Sequence, residues 1–183
     1  RSITDSFSPQ DIALALSQGD LVVLRTDTIY GIIALAANAA AVQKLYAARH
    51  RNPSKACIVL VADIADIPDL SDNQRIAYEE LSIERPTTIV QPVSDNFLPG
   101  VPREDGALAF RVVKLPQLHK LISLTGPLLA PSANIEGLPP AANIRQAVDY
   151  FGDKVTVIYH DNYYAPHDDL TFKERQTINY DHP

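Results

Sequence analysis

Three cations define the first chemical possibility in this chain. Arg49, Arg51 and Lys55 straddle the end of an Ala-rich stretch and the turn residues that follow it. Planar guanidinium forks match phosphate oxygens two at a time, and an ammonium adds a point charge. Placed on either side of a helix end, the three can converge on one anion. They also suit a solvated helix terminus, where cations complement the macrodipole. A second cluster is Thr26-Asp27-Thr28-Ile29-Tyr30-Gly31, directly after the apolar run 21–24. Its hydroxyls and carboxylate offer hydrogen bonds to a polar ligand, although Asp and Thr also make ordinary turns. The third is Pro131-Ser132-Ala133-Asn134, where Ser132 and Asn134 can aim two polar groups at one ligand.

Other chemistries lack their residues. There is no Walker loop and no GxGxxG, which disfavours P-loop and Rossmann nucleotide sites. His50, His119, His160, His167 and His182 are scattered without zinc-site spacing, so no metal ligands are expected. His167-Asp168-Asp169 reads as a solvated loop rather than a cation site. Cys57, beside an apolar strand, reads as a small buried hydrophobe. Without a GxSxG elbow, Ser132 is a binder rather than a nucleophile.

The elements that must position these residues are well signalled. Ser8 and Pro9 open a helix that Gly19 ends, and 21–24 is a buried strand. Asn38 caps a helix that runs into Arg49-His50-Arg51 and stops near Pro53. A strand is expected over 58–61, and the acidic stretch 63–85 is partly helical. Strands at 87–90 and 107–112 flank a long Pro-rich loop over 92–105, a length often associated with function. A helix over 116–124 closes on Gly126, a brief strand covers 128–130, Asn143 caps a helix to Tyr150, and 155–159 is a strand. The tail from Asp161 has mixed charge and no clear period. Strands and helices do not alternate strictly, so the spacing predicts one α/β domain over 1–183 with a mixed sheet.

With 16 Lys and Arg against 22 Asp and Glu, the net charge of −6 excludes a nonspecific nucleic-acid coat. A single cysteine excludes a disulfide scaffold. No apolar run is long enough to span a bilayer, and the opening RSITDSFSPQ has no signal-peptide core. A cytoplasmic setting with no membrane partner is therefore expected. The charge is unevenly spread: residues 28–62 hold no carboxylate at all, while 63–85 are crowded with them. That distribution points to a basic pocket sized for a nucleotide.

Taken in order, the motifs resemble the YrdC/TsaC family of L-threonylcarbamoyladenylate synthases. Arg25-Thr26-Asp27-Thr28-Ile29-Tyr30-Gly31-Ile32 is similar to that family's P-T-[DE]-T-[VIL]-Y-G-L stretch, and Arg49 to Ala56 to its K-x-R-P-x-x-[KN]-P segment. Glu84 to Thr88 loosely matches PGPxT, Phe110-Arg111-Val112 echoes v-R-[IVM]-P, Pro127 to Gly137 contains SAN, and Gln176-Thr177-Ile178 stands for S-T-[IV]. The resemblance implies a twisted mixed sheet flanked by helices around a basic cavity. It implies a nucleotidyltransferase that joins L-threonine, bicarbonate and ATP, with Mg²⁺, into threonylcarbamoyl-AMP and pyrophosphate for tRNA t6A modification. By motif position, Arg51 and Lys55 would be catalytic and would face ATP phosphates together with Arg49. Ser132 and Asn134 would bind the nucleotide, and Thr28, Arg111 and Ala130 would serve threonine. Partners would be tRNA and the t6A pathway proteins. The alternatives are a divergent paralogue that binds nucleotide or double-stranded RNA without this reaction, and an adenylating relative using another amine.

The departures mark a divergent member. Arg25 replaces the family's Pro, Arg49 its Lys, Leu60 a histidine, Glu136 the Ser of SANxSG, and Gln176 the last Ser. A carboxylate at 136, near a triphosphate, would cost binding unless it holds Mg²⁺ or points away.

Overall fold

Helix boundaries follow directly from capping residues. The Ser8 hydroxyl accepts from Asp11 N at 3.3 Å, with Pro9 at the first helical position of α1 (Pro9–Ser17). Asn38 accepts from Ala41 N at 3.0 Å to start α2 (Ala39–Ala48). Within the acidic stretch, Ser71 and Gln74 form a reciprocal capping box for α3 (Asp72–Leu81). Pro116 opens α4 (Pro116–Thr125), and Gly126, at φ +83°, ends it. Asn143 caps α5 (Ile144–Phe151) through Gln146 N at 3.0 Å. The structure, a computed structural model, describes residues 2–4, 8–26, 29–155, 157–159 and 176–178.

The strands are β1 (Ser2–Thr4), β2 (Val22–Arg25), β3 (Tyr30–Leu35), β4 (Ile58–Val61), β5 (Thr87–Pro92), β6 (Ala107–Val112), β7 (Leu128–Leu129), β8 (Val157–Tyr159) and β9 (Gln176–Ile178). They form one sheet in the order β1-β8-β2-β3-β7-β4-β6-β5-β9. Pairings β2–β3, β3–β7, β4–β7 and β5–β6 are antiparallel, while β1–β8, β2–β8, β4–β6 and β5–β9 are parallel. The expected mixed sheet is present. Three strands go beyond the sequence reading, β1, β3 and β9. β1 and β9 are three-residue segments that owe their strand character to partners far away in the chain.

Alternation along the strands divides the core between two faces. Val22, Leu24, Ile33, Leu60 and Leu128 pack under α1 and α4 with Ile12, Leu16, Leu118 and Leu121. Val23, Ile32, Val59 and Phe110 pack on the opposite side with Leu45 of α2 and Phe151 of α5. Full burial of each large side chain stabilises by roughly 1.5–3 kcal/mol. Tyr78 ties α3 to two strands at once. Its hydroxyl donates to the Thr87 carbonyl at 2.9 Å and accepts from Val112 N at 2.8 Å.

The long loop between β5 and β6 is wound around one cation. Arg103 donates to the carbonyls of Ser94 (3.0 Å), Leu98 (3.1 Å) and Val101 (2.8 Å), and also to that of Phe97. Gly100 of this loop lies against the start of α2, where an added Cβ would stand 2.8 Å from the Ala39 Cβ. The loop therefore braces the helix that carries the basic cluster.

Candidate functional site

The end of α2 reverses in a way that separates its two arginines. His50 adopts the left-handed conformation (φ +53°). Arg51 N donates to the Tyr46 carbonyl at 3.0 Å and His50 N to the Ala47 carbonyl at 3.1 Å, a Schellman turn with His in the usual glycine position. Arg49 is turned inward and is 3% exposed, while the Arg51 side chain keeps 19% of its surface. Beyond them, Asn52 Oδ1 accepts from Ser54 N (2.9 Å) and Ser54 Oγ (2.8 Å). The Tyr46 hydroxyl donates to the Lys55 carbonyl at 2.5 Å, folding the loop back onto α2.

The other two motifs are neighbours in the sheet. After β7 the chain continues beside the start of β3. Ile32 N donates to the Pro131 carbonyl at 3.0 Å and Ala133 N to the Tyr30 carbonyl at 2.9 Å, with Gly31 opposite Ser132. Thr26 closes the turn before β3, its N and Oγ1 both donating to the Ile29 carbonyl (3.0 and 2.9 Å). Arg25 lies 5.9 Å over the Tyr30 ring, so this departure from the family pattern makes a cation–π contact.

Arg49 joins the basic loop to the Ser-Ala-Asn loop. Its Nε donates to the Asn134 carbonyl at 3.2 Å and its Nη2 to Asn134 Oδ1 at 3.3 Å. Ser132 Oγ donates to the same Oδ1 at 2.5 Å, and Asn134 Nδ2 donates to the Ile135 carbonyl at 3.0 Å. Glu136 N donates to the Arg49 carbonyl at 2.7 Å. Burial pulls the Arg49 guanidinium below its ordinary value, and the Glu136 charge pulls it back.

Glu136 then fills the space between the two outer cations. Its Oε2 is 3.0 Å from Arg51 Nη1 and its Oε1 is 3.3 Å from Lys55 Nζ. Arg51 Nη2 donates to the Ala56 carbonyl at 2.7 Å. Hydrogen bonds from Lys55 and then Arg51 hold the Glu136 carboxyl below the usual carboxylate range. The carboxylate therefore points at the basic cluster and pairs with two of its cations. Among the described residues, no group of three or more His, Cys, Asp or Glu is placed to hold a metal ion.

Five residues singled out in the sequence thus meet at one loop cluster: Arg49, Arg51, Lys55, Ser132 and Asn134. Arg111 and Ala130 sit on the sheet itself. Arg111, 2% exposed, is the β6 partner of Leu60, and Ala130 N donates to the Ile58 carbonyl at 3.1 Å on the other side of β4. Alternation puts Arg111, Leu60 and Ala130 on the face that carries α1 and α4. Thr28 and the His167-Asp168-Asp169 segment lie outside the described residues. Cys57 is buried as expected. Burial pushes its thiol up, against hydrogen bonding to Tyr46 and the charges of Arg51 and Arg49. The parts played by Tyr46 and His50 were not read from sequence. Tyr46 has the spacing of an ordinary apolar helix position, and only the observed backbone shows His50 as the cap.

A cavity of about 470 Å³ opens beside this cluster, between α2 and the Arg103-wound loop, and Tyr46, Arg51, Pro53 and Gly100 line it. No helix among the described residues is long and apolar enough to cross a membrane.

Comparison with known proteins places this geometry. The Sua5/YciO/YrdC family model, described as telomere recombination, matches residues 14–171. A threonylcarbamoyl-AMP synthase of Vibrio parahaemolyticus is 28% identical over 155 residues, covering 81% of this chain and 84% of its own. One from Bacillus subtilis is 31% identical over 147 residues, 75% of this chain and 42% of its own. The crystal structure of P. abyssi Sua5 complexed with L-threonine superposes with a TM-score of 0.72 at 26% identity, covering 87% of this chain. This chain spans 49% of that protein's length. A match over most of the sequence, on a fold that gathers the motifs at one loop cluster, shows that the chain belongs to the Sua5/YciO/YrdC family.

Proposed function

We propose that this protein forms threonylcarbamoyl-AMP from L-threonine, bicarbonate and ATP, releasing pyrophosphate and water. The observation that carries the reading is the meeting of Arg51 and Lys55 with the Arg49–Asn134–Ser132 network at one end of the sheet. This chemistry requires no protein nucleophile. The threonine amine adds to the bicarbonate carbon with loss of water, and a carbamate oxygen then attacks the α-phosphorus while the bond to pyrophosphate breaks. Catalysis of such a transfer comes chiefly from positioning and from cations that stabilise charge on the phosphate oxygens. Arg51 and Lys55 are the solvent-reachable cations suited to that task, and Arg49 fixes the Asn134 amide beside them. Mg²⁺ would enter with ATP as part of the substrate and would neutralise charge on the phosphate oxygens.

In this reading Thr28, Arg111 and Ala130 bind threonine, with the buried Arg111 guanidinium answering the carboxylate. The threonine complex of P. abyssi Sua5 supports that assignment of substrate. The product supplies the threonylcarbamoyl group for t6A in tRNA, a cytoplasmic role shared with the pathway's later enzymes. Incubation with ¹³C-bicarbonate, ATP and L-threonine, followed by mass spectrometry, tests it. A threonylcarbamoyl-AMP peak shifted by one ¹³C is expected. Its absence, with ATP bound, would favour a nucleotide-binding relative that does not catalyse the reaction.

A further inference from the structure

We infer that Glu136 is a built-in counter-ion that occupies the phosphate cradle and must be displaced before a polyphosphate can bind. The inference rests on the proposed assignment of Arg51 and Lys55 to the phosphate chain. A carboxylate and a phosphate present similar oxygens to a guanidinium, so whatever satisfies one competes for the other. Glu136 gives one oxygen to each cation, at 3.0 and 3.3 Å, which is the bridging arrangement expected of an anionic ligand. Its backbone is fastened at that place, because its N–H is bonded to the Arg49 carbonyl at 2.7 Å. The side chain itself is not locked: it remains 32% exposed and can rotate towards solvent. Lys55 is 51% exposed and is equally free to follow a ligand.

The consequence concerns affinity and selectivity. The formal charge of Arg49, Arg51, Lys55 and Glu136 together is +2 rather than +3. Two partly exposed pairs must be exchanged for new ones, so weak or transient anions gain little by entering. A ligand that brings several phosphate oxygens at once regains both cations. Serine, the family residue at this position by motif, carries no such charge. Glu136 therefore acts as an affinity-setting residue that raises the threshold for anion occupancy.

Calorimetric titration with inorganic triphosphate, on the full chain, tests this. Glu136→Gln and Glu136→Ser are expected to bind about tenfold tighter than the parent, the exchange of two partly exposed pairs. Glu136→Asp should retain part of the weakening. Arg51→Ala, in the parent and in Glu136→Gln, should abolish binding and so report that triphosphate sits at this site. Unchanged or weaker binding by Glu136→Gln, with Arg51→Ala still abolishing it, overturns the counter-ion role and leaves the phosphate site standing. No binding by any variant, or binding indifferent to Arg51→Ala, overturns both the inference and the phosphate assignment beneath it.

Discussion

Arg49 and Arg51 stand two residues apart, and alanine at the first should act chiefly on stability, at the second chiefly on binding. Arg49 is a buried cation whose removal strands the Asn134 carbonyl, leaves Asn134 Oδ1 to Ser132 alone and loosens the bridge between two loops. Losing such a network costs about 3 kcal/mol, so Arg49→Ala should lower Tm by roughly 6–12 °C in a thermal melt. Arg51 is partly exposed, and so is its partner Glu136. Arg51→Ala should cost about 1 kcal/mol, roughly 2–4 °C, while ATP binding measured by calorimetry is abolished. Cys57 offers a third check at this scale. With burial raising its thiol, native protein at pH 8 should react with iodoacetamide about 100-fold more slowly than a free thiol, and at the full rate once denatured.

At the scale of the element, the turn after α2 sets the direction of every cation in the site. His50 holds a left-handed backbone that costs an L residue about 1 kcal/mol, so His50→Gly should raise Tm by roughly 2–4 °C without altering the site. Gly100 makes the complementary case. A methyl there meets the Ala39 Cβ and Cα at 2.8 and 2.9 Å, both on the first turn of α2. Gly100→Ala should destabilise by about 1–3 kcal/mol, read as a lowered denaturation midpoint in urea. Most elements could be read from sequence because their signals are local, as with Ser8-Pro9, Asn38, Asn143 and Gly126. β3 is hidden at its start, where Tyr30 and Gly31 belong to the polar cluster that opens at Thr26 and Gly31 interrupts the apolar run 29–36. The loop over 92–105 is a different case. Its length is legible, but the winding around Arg103 and the bracing of α2 beside the cavity are not.

Across the whole molecule, a sheet with both parallel and antiparallel pairs brings three separate motifs to one end. β3 and β7 lie side by side, so the residues that precede one and follow the other must be neighbours. The Ser-Ala-Asn loop then meets the end of α2 through Arg49. Residue types alone identified Arg49, Arg51, Lys55, Ser132 and Asn134, because cations and small polar groups after strands are recognisable without coordinates. Glu136 was noticed as a departure but its partners were not, since the contact depends on the backbone bond between Glu136 and Arg49. The overall charge of −6 concealed the same site, whose basic stretch is offset by carboxylates elsewhere. The measurement that tests the central claim most directly is pyrophosphate release with ATP, bicarbonate and L-threonine supplied together and each omitted in turn. The proposed function predicts release only with all three present, lost in Arg51→Ala. Release that is indifferent to threonine would contradict it.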